Sequence, residues 1–165
     1  MLQRIKLIQV GDVHLPASAL ASAHVDDKDV KFPGALKNII SKTPLKTVFR
    51  RIYEHLASGQ YDALLFMGDL TDIGDLDGYR SCINYIRGSL RVGKNSEHSS
   101  VLVGVVPGNH DIDRKLALKP GLNTKFTPLT QCLSDTGFLE LPIGTPTSVN
   151  LDHDGHIATV HLINS

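Results

Sequence analysis

Three short apolar runs punctuate the chain: "IKLIQV" (5–10), "ALLFM" (63–67) and "VLVGVV" (101–106). Each is rich in large or β-branched side chains and each stops at Gly or Pro-Gly, the pattern of a buried strand. Between them the apolar period lengthens. In "TPLKTVFRRIYEHLASG" the residues Leu45, Val48, Phe49, Ile52 and Leu56 fall at i, i+3, i+4, i+7 and i+11. Thr43 stands at the N-cap position, Pro44 at the first helical position and Gly59 near the stop, which predicts an amphipathic helix. A second helix is predicted over 76–90, started by Asp75 or Asp77, with Tyr79, Cys82, Ile83 and Ile86 turned inward. The β-α-β-α-β alternation implies parallel pairing with right-handed crossovers. The carboxyl ends of all three strands then open onto one edge, where ligands bind in such sheets.

The rest is less regular. Residues 15–42 are too long for a tight connection and are expected to form an insert over the open edge. After Asp113 one short helix is expected near 128–136. "TSVNLDHDGHIATVHLIN" then alternates as two strands around Asp154-Gly155, a hairpin turn signal.

Composition narrows the class. With 165 residues and 41 % hydrophobic content the chain fits one globular domain. Its 17 bases balance 17 acids, so no global field recruits nucleic acid or an anionic membrane, and any specificity must be local. Cys82 and Cys132 have neither zinc-knuckle nor redox spacing and are expected as reduced thiols, which favours a cytoplasmic home. The first residues lack the features of a signal peptide. No segment approaches the roughly 20 apolar residues of a membrane span, and no membrane partner is expected.

The polar residues at the strand ends carry the chemistry. Strand one runs into "GDVH", giving Asp12 and His14; strand two into "GD", giving Asp69; strand three into "PGNHD", giving Asn109, His110 and Asp111. Carboxylates and imidazoles cost free energy to desolvate, so three such clusters at converging strand ends point to a metal site. In an extended chain Asp12 and His14, two apart, point the same way and grip one ion. The two oxygens of Asp69 can bridge two cations, Asn109 adds a neutral oxygen, and His110 lies beside the metals, free to reach a phosphoryl oxygen. Gly11, Gly68 and Gly108 permit tight turns and close backbone approach. Asp111 has two readings, orienting His110 or capping the following turn. Thr71 and Asp72 are further lining candidates. Arg114 and Lys115 either reach a substrate phosphate or are simply solvated, and the "FRR" of the first helix reads as its wet face. "TDIGDLDG" lacks the spacing and the bidentate Glu of a calcium loop.

The words "DVH", "GDLTD" and "GNHD", in that order and each after a strand, resemble the calcineurin-like metallophosphoesterase superfamily. "GDVHL…MGDLTDIG…VPGNHDID" looks most like its branch of cyclic-nucleotide phosphodiesterases and related bacterial phosphoesterases. The resemblance implies an α/β fold, a layered α/β/β/α sandwich. It also implies two divalent metals, Mn or Fe with Zn as a further candidate, on Asp12, His14, Asp69 and Asn109. His110 would be the catalytic histidine, oriented by a nearby carboxylate. Two ions about 3.5–4 Å apart would activate a shared water and clamp the entering and leaving oxygens of a phosphoester hydrolysis.

The family pattern continues with a His often in H-H-P-P and a later G-H-x-H, and neither occurs in this sequence. His153, His156 and His161 in the predicted hairpin read as turn and strand-surface residues. The expectation is therefore an amino-terminal piece of a single metallophosphoesterase-like domain spanning 1–165. Its missing ligands would come from a carboxyl-terminal remainder or a homo-oligomeric partner, and an open sheet edge would favour association. The expected substrate is a phosphodiester, such as a cyclic nucleotide or a nucleic-acid end. The competing readings are a catalytically inactive binding module and the catalytic end of a multidomain nuclease or signalling protein.

Overall fold

A computed structural model of the chain describes residues 5–15, 45–59, 61–72, 74–140, 147–153 and 155–162. The three apolar runs become β1 (Leu7–Val10), β2 (Ala63–Met67) and β3 (Leu102–Val106), joined in a parallel sheet of order β1-β2-β3-β4. Val10 aligns with Phe66, and Phe66 with Val105, so the strands end at one level. That register places the three polar motifs side by side. β4 (Leu139–Glu140) extends the sheet beyond β3; at two residues it is too short to leave a sequence pattern.

The periodic segments form α1 (Leu45–Ser58) and α2 (Leu76–Leu90). Asp75 caps α2, its carboxylate accepting from the Gly78 amide at 2.7 Å, which decides between the two expected starters. Tyr79, Cys82, Ile83, Ile86 and Leu90 are buried at helical spacing. α1 and α2 meet through Phe49 and Tyr85, whose rings lie 5.0 Å apart at 61°. Arg50 and Arg51 on α1 are exposed and face Glu54 at 3.6 and 3.0 Å, the solvated face expected of "FRR". The short helix α3 (Thr127–Leu133) closes the same side, with Leu129 and Leu133 in the main core.

The hairpin strands β5 (Thr147–His153) and β6 (His156–Leu162) pair antiparallel. They cover the other face of the sheet, where Leu151 and Val160 join Ala63, Leu65 and Val106 in a second cluster. Helices, parallel sheet and antiparallel strands thus stack in layers, the α/β architecture that the resemblance implies. One expectation needs correction. β2 and β3 are buried, but β1 is half-exposed, with Leu7 47 % accessible, because among the described residues it is the last strand of the sheet and has a neighbour on one side only. The expected insert over 15–42 lies almost wholly outside the described residues, as do Thr43, Pro44 and Asp154.

Candidate metal centre

Each site residue sits in the first few positions after a strand. The backbone there is bent hard: Asp12, His14 and Asp69 have φ of 49°, 40° and 50°. These are three of the six described non-glycine residues with positive φ, a conformation that costs about 1–3 kcal/mol each and persists only where the surroundings impose it. The remaining three lie at a helix end and in turns, so among the strand ends this strain is specific to the motif residues. The left-handed backbone also replaces the extended chain that was expected to point Asp12 and His14 the same way. His14 is instead fixed by its amide, which donates to the Asp69 carbonyl at 2.8 Å, and Leu15 continues the pairing to Leu70 at 2.9 Å.

The result is convergence. A ring nitrogen of His14, a carboxylate oxygen of Asp69 and a ring nitrogen of His110 all lie within 4.8 Å of one another. His14 Nε2 stands 3.8 Å from Asp69 Oδ2, and the two side chains are only 15 % and 12 % accessible. The His14 and His110 rings meet edge to face with centroids 4.7 Å apart. The His110 amide donates to Asp69 Oδ1 at 2.9 Å, so one carboxylate oxygen is anchored while the other faces His14. Asp12 and Asn109 are exposed, and Asp12 does not join the converging group.

Asp111 is fully buried and turns its carboxylate to the backbone. Its oxygens accept from the amides of Leu70 (3.0 Å), Thr71 (3.2 Å) and Gly108 (2.9 Å). One side chain thereby ties the loop after β2 to the loop after β3, a role that neither expected reading contains. Buried amides left unpaired are costly, so this carboxylate organises both loops. Its charge has further consequences. Burial first, and the Asp111 carboxylate second, push the Tyr79 hydroxyl and the Cys82 thiol well above their ordinary ranges, so both stay protonated. Tyr79 then donates to the Asp111 carbonyl at 2.8 Å.

Asp72, only a lining candidate from sequence, is drawn in more closely. Its Oδ1 lies 3.4 Å from His14 Nδ1, and its carbonyl 3.4 Å from His110 Nδ1. The "TD" after "GDL" was its only sequence signal. Thr71 is buried and accepts from the Gly74 amide at 2.9 Å, closing the turn. Glycine is required where the loops touch. Gly68, at φ 88°, packs against Gly108, and a Cβ on Gly108 would overlap the Asp69 carboxylate.

Two imidazoles and a carboxylate, partly desolvated and held by strained backbone, are a donor set that could hold a divalent metal ion. A parallel α/β sheet that gathers such a set at its carboxyl edge defines a metal-binding α/β protein. The class narrows further: the family model for the calcineurin-like phosphoesterases matches residues 5–164, and the chain belongs to that family. Metal-dependent phosphoester hydrolysis is the activity this membership implies. No curated protein matches the chain. Among the described residues no helix is long and apolar enough to cross a membrane.

Proposed function

We propose that the chain hydrolyses phosphodiesters, using two divalent ions, Mn or Fe, held by Asp12, His14, Asp69 and Asn109, with His110 assisting. The observation that carries this reading is the approach of His14, Asp69 and His110 to within 4.8 Å on strained backbone. Bound divalent ions supply Lewis acidity and a nucleophile at neutral pH. The chain's own residues do the rest. Asp69, with Oδ1 held by the His110 amide, presents Oδ2 toward His14. His110, with Nδ1 against the Asp72 carbonyl, keeps Nε2 for the leaving oxygen, where it stabilises charge or delivers a proton. Asp111 keeps the loops after β2 and β3 at a fixed separation and so positions both groups.

Two ions need more donors than these four residues offer. The proposal therefore includes further imidazoles from a carboxyl-terminal remainder or from a second copy of the chain. Two free thiols, one of them buried, support a reducing, cytoplasmic setting.

The test is hydrolysis of bis(p-nitrophenyl) phosphate with added Mn²⁺. Turnover that exceeds that of the corresponding monoester and is lost in Asp69→Asn supports the reading; a preference for the monoester overturns the diester assignment. His110→Ala separates the roles. Retained Mn²⁺ binding without turnover marks a residue on the substrate side, and loss of both marks a ligand.

A further inference from the structure

The segment that leaves the candidate site is one of several stretches of the chain that are rich in bases and free of acids, and it is the one that follows the motif residues. Residues 114–134 contain four bases, Arg114, Lys115, Lys119 and Lys125, and no acid, although the whole chain is balanced. Asp113 fixes its course. The Asp113 carboxylate accepts from the amides of Lys115 and Leu116 at 2.9 and 3.0 Å, and the Asp113 amide donates to the Lys125 carbonyl at 3.0 Å. Anchored at both ends, the segment presents its middle outward: every residue from 117 to 123 is exposed. Leu118 is 89 % and Leu122 67 % accessible. None of the four cations forms an ion pair among the described residues, and Lys6, Lys46, Arg87 and Lys94 elsewhere form none either.

We propose that residues 114–125 are a docking element for an anionic phospholipid surface. Each Lys or Arg close to such a surface contributes about fivefold in affinity. Apolar side chains among the cations bury themselves at the boundary between headgroups and acyl chains. The combination selects the partner. A nucleic-acid backbone takes up the four charges but has no use for two leucines facing solvent. The expectation of no membrane partner rests on the net charge of the whole chain and on the lack of a membrane span, yet exposed charges act within a Debye length of about 8–10 Å, so the local balance governs. Docking of this kind is peripheral and needs no membrane span. In the chain the segment follows the "GNHD" motif after Ile112 and Asp113.

The experiment is co-sedimentation of the full chain with two kinds of vesicle: phosphatidylcholine alone, and phosphatidylcholine containing one-third phosphatidylglycerol. Binding to the anionic vesicles is expected to exceed binding to the neutral ones at least about tenfold and to weaken with salt. Lys115→Glu with Lys119→Glu lowers it at least about 25-fold. Leu118→Ser with Leu122→Ser lowers it several-fold, with the circular dichroism spectrum unchanged because all four side chains face solvent. Equal sedimentation with both vesicles overturns the proposal. So does binding that survives in both double variants, or tighter binding to duplex DNA that the leucine changes leave intact.

Discussion

The two ends of the parallel sheet hold different kinds of space. At the amino end a cavity of about 530 Å³ opens between the end of α1, residues 98–102 and β5, with Tyr61, Asp62, His98 and Asn150 in its wall. Among the described residues no three of its His and Asp side chains come together as a metal-binding group, and none of its lining residues has a positive φ. Asp62 is occupied in structure, accepting the Lys6 amide at 2.7 Å and so holding the start of β1 beside β2. At the carboxyl end two imidazoles and a carboxylate meet, three residues are forced into the left-handed region, and a buried carboxylate binds three amides. Strain and buried polar groups are expensive, so they persist where something requires them. Empty volume at a loop junction costs much less. Chemistry in this molecule therefore follows the strained edge, not the roomier one.

The sharpest way to break that contrast is Asp111→Ala. Removing a buried carboxylate that satisfies three amides is expected to cost about 4 kcal/mol of stability. That lowers the melting temperature by about 8–16 °C in a chain of this length, as read by thermal denaturation. A loss as small as that of a surface substitution would mean the carboxyl edge is no more constrained than the amino edge. Gly108→Ala comes next. Its methyl group would overlap both the Asp69 carboxylate and the Asp69 backbone nitrogen, so diester turnover should fall at least about tenfold and the melting temperature should fall as well.

Much of this arrangement was legible in the sequence. β2, β3 and α2 follow directly from their apolar patterns, since each buries most of one face or all of itself, and Asp75 announces the start of α2. The convergence of His14, Asp69 and His110 was legible too, because parallel strands of similar length must end at one edge. What the sequence withheld lies below the resolution of a pattern. β4 is too short to show a period. The exposure of β1 depends on its place at the end of the sheet, which no local window contains. The partners of Asp111 are backbone amides, and an amide carries no residue identity, so neither the side chain's true task nor the nearness of Asp72 could be read from residue types.

Two smaller predictions sharpen the comparison. Tyr79→Phe removes one neutral donor from the Asp111 carbonyl and should cost about 1 kcal/mol in chemical denaturation, well below the loss of Asp111 itself. Ser100→Ala, on the wall of the amino-end cavity, should stay within about 0.5 kcal/mol of the parent and leave turnover unchanged.

The most direct test of the central claim is a calorimetric titration of the purified chain with Mn²⁺, alongside Asp69→Asn. Asn keeps the shape and the acceptor for the His110 amide while removing the charge. The account predicts saturable Mn²⁺ binding that weakens at least about tenfold in Asp69→Asn, with the two proteins equally folded. Equal affinity in both proteins would contradict it.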